Sequence, residues 1–163
     1  MEIPRLGPLT LDEEGEHSSE PVPVPIFGRS CVFTVADPDG YATEPEAVHR
    51  AVAAFLDLDG SALAAAAPDA YEYYRDVTDF FEAEGYPYTR VPDVSRIWEH
   101  VTFGPDVRIE REDGRVYLSV ECECSWEVEH GLQLVFRDGR AISRIGPYDG
   151  HLTNNGTDAI YRS

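Results

Sequence analysis

The chain has 163 residues, of which 42% are hydrophobic and 11% aromatic, and this composition is typical of a folded globular protein. Its formal net charge is −18, from 31 acidic residues and 13 basic residues that are all arginine. A negative charge of that size repels phosphate backbones and anionic lipids, so it argues against nucleic-acid binding and membrane-surface binding.

Short strands are the first elements that the sequence predicts. Leu9 and Leu11 alternate with polar neighbours, which is the period-two pattern of a strand. Prolines then occupy every second position of residues 21–25, which predicts an edge strand because each proline removes a backbone donor. Residues 31–36 are strong β-formers and predict a further strand.

Two or three helices follow these strands. Apolar residues at helical spacing in residues 45–56 predict a first helix, which we expect to stop at Gly60. Residues 61–68 predict a short alanine-rich turn, and residues 70–84 predict a second, amphipathic helix. Asp93 predicts the cap of a third, shorter helix that carries Ile97, Trp98 and Val101.

From residue 105 the apolar pattern changes to period two. Glu112-Asp113-Gly114 and Asp138-Gly139 are hairpin signals, and with the corner at residues 126–131 they separate four predicted strands. This pattern predicts an antiparallel β-meander. The sequence as a whole therefore predicts a single α+β domain, residues 1–163, in which N-terminal strands and an antiparallel meander pack against two to three helices.

The second predicted helix carries an acidic outer face. Four acidic residues lie on the side of this helix opposite its apolar residues: Glu72, Asp76, Asp79 and Glu82. Tyr73 is expected to be exposed beside them. This face is either a solvated surface or a binding surface for a basic partner, since aromatic residues beside charge are typical of interfaces.

Two cysteines lie two positions apart on one predicted strand. Cys122 and Cys124 point to the same side, and that side continues an apolar face, so the pattern favours core packing. The alternative is a metal site, which needs further ligands. Cys31, His130 and His151 are the residues that remain to complete it.

The remaining candidates lie in two corners that each contain a histidine. The first is residues 126–131, which holds Glu127, Glu129 and His130, and the second is the loop of residues 146–156. This loop holds Asp149 and His151 as candidate acid–base or metal residues, and Tyr148 as a candidate binding residue. The first corner is more simply explained as a solvated polar turn, and the loop is equally well explained as a structural loop in which Asp149 and Asn154 bond their own backbone.

A family resemblance rests on two longer motifs. Residues 121–139 read ECECSWEVEHGLQLVFRDG and residues 145–154 read IGPYDGHLTN, and LGPLTLDEE and SEPVPVPIFG precede them near the start. In these motifs the chain resembles a family of bacterial domains of unknown function. The resemblance transfers no catalytic residue. Small acidic domains of this kind are also similar to immunity or accessory proteins that are encoded beside bacterial toxins.

Two functions remain open at this point. Residues 1–130 hold 28 acids and nine arginines, and no cofactor-binding fingerprint is present, so the sequence favours a non-catalytic acidic protein that binds a basic partner. The alternative is a small metal-binding protein or hydrolase that uses the His130 and His151 corners. No signal peptide and no apolar run of bilayer length occur, and three cysteines form no disulfide framework, so we expect a cytoplasmic protein without a cofactor.

Overall fold

The computed structural model describes residues 1–153 and 161–162. It contains ten strands of two to twelve residues and three α-helices within these ranges, which confirms the α+β class. The strands are β1 (Glu2–Ile3), β2 (Gly7–Pro8), β3 (Thr10–Leu11), β4 (His17–Ser18), β5 (Val22–Val24), β6 (Arg29–Val35), β7 (Val101–Glu112), β8 (Arg115–Cys124), β9 (Leu132–Arg137) and β10 (Ala141–Gly146). The α-helices are α1 (Pro38–Thr43), α2 (Pro45–Leu56) and α3 (Gly60–Glu84), and Pro25–Phe27 and Val94–His100 are 3-10 helices.

One mixed sheet organises the described residues. Its strand order is β10-β9-β8-β7-β6-β4-β3, with β5 also paired to β6, while β1 and β2 form a separate hairpin. The meander from β7 to β10 is antiparallel, as the turn signals predict. The sequence did not reveal that β6 and β7 pair in parallel, with Val35 opposite Ile109. No turn signal in the sequence indicates this parallel pair, because its two strands are connected by a long segment that contains all three α-helices.

The main core lies between the sheet and the helices. On β8 the predicted alternation is confirmed, because Val116, Leu118 and Val120 belong to this core while Tyr117 packs against Val135 and Leu152 on the other side. Aromatic rings link the two layers, and Phe55 of α2 meets Phe136 of β9 with ring centroids 5.0 Å apart. The helices therefore cover one sheet face.

The second predicted helix begins ten residues earlier than the sequence indicates. Asp59 caps it by accepting a hydrogen bond from Ser61 N at 2.8 Å, and the alanine-rich segment forms its first turns with Pro68 inside the helix. Alanine has the highest helix propensity, and Ala66 and Ala67 are buried, so packing extends the helix across the proline. Gly60 accordingly opens this helix, whereas α2 ends at Leu56.

Two smaller predictions are also wrong. Tyr73 is buried instead of exposed, because it packs edge-on against Trp126 with ring centroids 5.7 Å apart. Val101 begins β7 and is not part of the third helix, which is a 3-10 helix capped by Asp93 as predicted.

No single helix among the described residues is long and apolar enough to span a membrane, although α2 and α3 together would meet the length and composition criteria as a bent pair.

Candidate functional site

The turn between β8 and β9, residues 125–131, is held firmly against α3. Trp126 is buried between Tyr73 and Tyr74, and the Tyr73 hydroxyl donates a hydrogen bond to Gly131 O at 2.8 Å. Gly131 has φ +63°, and a Cβ at this position would lie 2.5 Å from Cys122 O. The turn can therefore close tightly only with glycine here, and its side chains project from a fixed backbone.

An acidic cleft of about 530 Å³ lies beside this turn. It opens where β7 bulges, since residues 104–106 lie between the pairs Phe103–Cys122 and Val107–Val120 and face Glu121 alone. The cleft is lined by five carboxylates and one imidazole: Asp106, Glu121, Glu123, Glu127, Glu129 and His130. None of the described residues that line it is an arginine. The bulge thus creates a concave surface that is rich in carboxylates and contains one imidazole.

Among the described residues that line the acidic cleft, Glu127 and His130 are the only titratable pair in direct contact. His130 Nδ1 lies 2.9 Å from Glu127 Oε2, and Glu127 Oε1 accepts hydrogen bonds from the Glu129 and His130 N–H groups. Burial alone would raise the pKa of the Glu127 carboxyl, but these hydrogen bonds outweigh it and hold the pKa below its usual value. The same contact raises the pKa of His130.

We expect Glu127→Gln to lower the pKa of His130 towards its ordinary value, because the hydrogen bond and the charge that favour the imidazolium are lost. The pair stabilises the fold below the ordinary histidine pKa, and that contribution disappears as pH rises through the raised pKa. An NMR pH titration of the imidazole measures the shift. Glu129→Gln is the matched control, and a smaller shift is expected because Glu129 acts on His130 only through its charge.

The second corner is organised by a buried arginine. Arg144 on β10 donates to Gln133 Oε1 at 2.7 Å, to His151 O at 2.9 Å and to Asp149 Oδ2 at 2.7 Å. Gln133 is itself fully buried and donates to Ser119 Oγ at 2.8 Å. These bonds tie the loop after β10 to the sheet face opposite the helices. Asp149 therefore has a structural role as the partner of Arg144.

The two corners are neighbours, but they do not share the acidic cleft. Tyr148 N donates to His130 O at 3.1 Å, so the backbone segments touch. Asp149 and His151 contact each other, with Nδ1 and Oδ2 3.4 Å apart, but neither is among the residues that line the cleft. The structure brings Glu127, Glu129 and His130 together and leaves the second pair apart. The end of the predicted loop, residues 154–156, lies outside the described residues.

Tyr148 is half-buried near the acidic cleft. Burial raises the pKa of its hydroxyl first of all, and the negative charge of Glu121 raises it further. A neutral tyrosine hydroxyl that lies close to a cleft carboxylate can donate a hydrogen bond to a ligand there. Tyr148 is not among the residues that line the cleft, so its role as a binding residue stays a prediction.

The cysteines lie in the core, as the apolar pattern favours. Cys122 and Cys124 are buried and free, and burial raises the pKa of their thiols to about 12 and about 11. Such thiols are protonated at neutral pH and are poor nucleophiles. Within the described residues, the only group of three potential ligands close enough to share an ion is Asp12, Glu14 and Glu16, which contains none of the residues predicted as metal ligands.

The acidic face of α3 is exposed, and three of its four acids have a polar partner or a basic neighbour. Asp76 accepts a hydrogen bond from the Tyr161 hydroxyl at 2.8 Å, and Asp79 pairs with Arg75 at 3.5 Å. Glu82 lines a small cavity together with two arginines, Arg75 and Arg90. Glu72 is exposed as well. A role of this face in binding a basic partner stays a prediction.

Sequence reasoning missed three residues of the acidic cleft, namely Asp106, Glu121 and Glu123. A signal for them was present. Gly104-Pro105 interrupts a strand, which is typical of a bulge, and the two glutamates alternate with buried residues on the neighbouring strand. What the sequence could not show is that the bulge lies opposite Glu121 and next to the pair Thr102–Glu123, since that depends on the register of β7 against β8.

Comparison with known proteins gives one match. A family model described as Domain of unknown function (DUF6985) matches residues 5–152. Neither the curated proteins nor the solved structures contain a match to the chain. Any assignment of function must therefore come from the surface that the fold builds.

Proposed function

Because the chain belongs to the DUF6985 family, whose function is unknown, we propose its role from its surface: it is a non-catalytic, immunity-like or accessory protein that binds a basic partner. The observation that carries this proposal is the acidic cleft, where five carboxylates surround a concavity without an arginine among its described walls. The net charge of −18 adds long-range attraction for a cationic surface.

Binding of a cationic group in this cleft is chemically straightforward. A guanidinium is planar and presents several donors, and each carboxylate accepts from it in a charge-assisted hydrogen bond. Glu121 and Glu123 are exposed on β8, so their charges are available to a ligand. The turn that carries Glu127 is fixed against α3, which lowers the entropy cost of binding.

We expect the double variant Glu121→Gln/Glu123→Gln to bind a short oligoarginine peptide roughly tenfold more weakly, because two attractive charges are removed from the cleft. Calorimetry measures the affinity, and amide NMR shifts locate the peptide. The matched control is Glu13→Gln/Glu14→Gln, which removes two exposed charges from the acidic turn near the N-terminus. Equal losses in both variants would show non-specific attraction and would contradict the proposal.

A second candidate is a small metal-binding protein or hydrolase that uses the His130 and His151 corners. The contact between Glu127 and His130 in a cleft supports it, since a carboxylate can orient an imidazole for acid–base work or metal binding. Stoichiometric zinc uptake that is lost in both His130→Ala and His151→Ala would favour this candidate. Zinc uptake unaffected by either variant would remove it.

A further inference from the structure

An apolar groove adjoins the acidic cleft on the other side of the turn. Its volume is about 720 Å³, and it lies between the residues that follow α3 and the 125–129 turn. We call it the aromatic groove, and its apolar walls are Phe81, Pro87, Tyr88, Trp126 and Val128. Glu127, Val128 and Glu129 line both the groove and the cleft, so the two concavities share one wall.

The apolar surface here is unusually open. Val128 is 88% exposed at the shared wall, and Phe80 and Tyr86 near the end of α3 are 57% and 56% exposed. Exposed aromatic and aliphatic side chains beside a concavity are typical of interaction sites, where they supply most of the binding energy. No basic side chain is among the described residues that line the groove.

We propose that the aromatic groove binds an apolar side chain of a partner protein segment in which arginine or lysine flanks that side chain. This inference rests on the proposed function and specifies the chemistry of the partner. Because the groove and the cleft share a wall, we expect the apolar side chain and the cationic side chain to lie a few residues apart in the partner segment. An extended segment advances about 3.3–3.6 Å per residue, so a few residues span the two concavities. Charge complementarity at Glu127 and Glu129 selects the basic flanks.

Charge also argues against a second copy of this chain in the groove. Two copies of net charge −18 repel each other, and a symmetric contact at this wall would bring the carboxylates of both copies together. An anionic membrane surface is repelled for the same reason. A basic peptide segment satisfies both the apolar lining and the acidic rim.

Selection of a random displayed peptide library against the whole protein tests this proposal. We expect the selected peptides to share an aromatic residue or leucine flanked by arginine or lysine. A synthetic consensus peptide should then bind Val128→Ser roughly tenfold more weakly, since an exposed valine that becomes buried on binding is lost. Leu11→Ser is the matched control, because Leu11 is 59% exposed on β3 at the far edge of the sheet, and it should bind normally.

The alternative outcomes separate the two proposals. A basic consensus without an apolar position, bound equally by Val128→Ser, would overturn the groove assignment and leave the acidic cleft as the site. A consensus without basic residues would overturn the proposed function as well. Concentration-dependent dimerisation by sedimentation that Val128→Ser abolishes would show that a second copy occupies the groove, contrary to the proposal.

Discussion

Replacement of Gly139 by alanine is expected to lower the free energy of unfolding by about 3 kcal/mol, from left-handed backbone strain and overpacking together. Gly139 has φ +70° in the turn between β9 and β10. A Cβ there would lie 1.9 Å from Ala51 O and 3.1 Å from Phe55 N, both on α2. The helix packs directly on the turn, so either the helix or the hairpin must shift. Urea denaturation followed by circular dichroism measures the loss.

The matched control for this effect is Gly114→Ala in the turn between β7 and β8. Gly114 has φ +75°, close to that of Gly139, but a Cβ there meets nothing within 4 Å. Only the backbone strain of about 1 kcal/mol is expected in this control. Equal destabilisation of the two variants would mean that α2 does not approach the turn between β9 and β10 as closely as the structure shows.

Replacement of Arg144 by methionine is expected to destabilise the protein by about 3 kcal/mol. Methionine fills much of the volume, but Gln133 Oε1 and His151 O then lose a donor, and the Asp149 carboxylate loses its ion-pair partner. His151 O keeps a donor from Gln133 Nε2 at 3.1 Å, and Gln133 Oε1 keeps only the Asp149 N–H at 3.4 Å, so the expected cost comes mainly from the lost ion pair and the weakened network. Thermal and urea unfolding measure the loss. Arg137→Met, at the exposed end of β9, is the control and should be nearly neutral.

The pH dependence of stability provides an independent readout of the same network. Burial alone would raise the pKa of Asp149, but the hydrogen bonds from Arg144 and from His151 N outweigh it and hold the pKa below its usual value. A carboxyl with a depressed pKa stabilises the fold above its unfolded pKa, and the contribution is lost as pH falls through the folded value. Arg144→Met should reduce this acid-side loss. An unchanged pH profile would contradict the role assigned to Arg144.

The sequence predicted those parts of the fold that depend on residues close together in the chain. The alternation of Val116, Leu118 and Val120 located a strand and its buried face, and Asp138-Gly139 located a hairpin, because both depend on neighbouring residues. The extension of α3 through Pro68 was missed, since burial of Ala66 overrides the local signal for a turn.

The candidate site was predictable only in part. The turn that contains Glu127 and His130 was identified from its residue types, and the structure joins these two side chains. The burial of Arg144 carries no sequence signature, because arginine is usually exposed. It decides the role of Asp149, which the sequence placed among candidate acids and bases. Long-range pairing, not residue type, determines which polar groups are free.

The parallel pairing of β6 with β7 has a consequence for how the chain reaches its native state. Strands β7 to β10 are joined by short turns, so their contacts close small loops, whereas Val35 meets Ile109 only across the whole helical segment. The entropy cost of closing a loop rises with its length, and non-local contacts slow folding. The meander can therefore serve as a template, on which the N-terminal strands β3 to β6 are added late in folding.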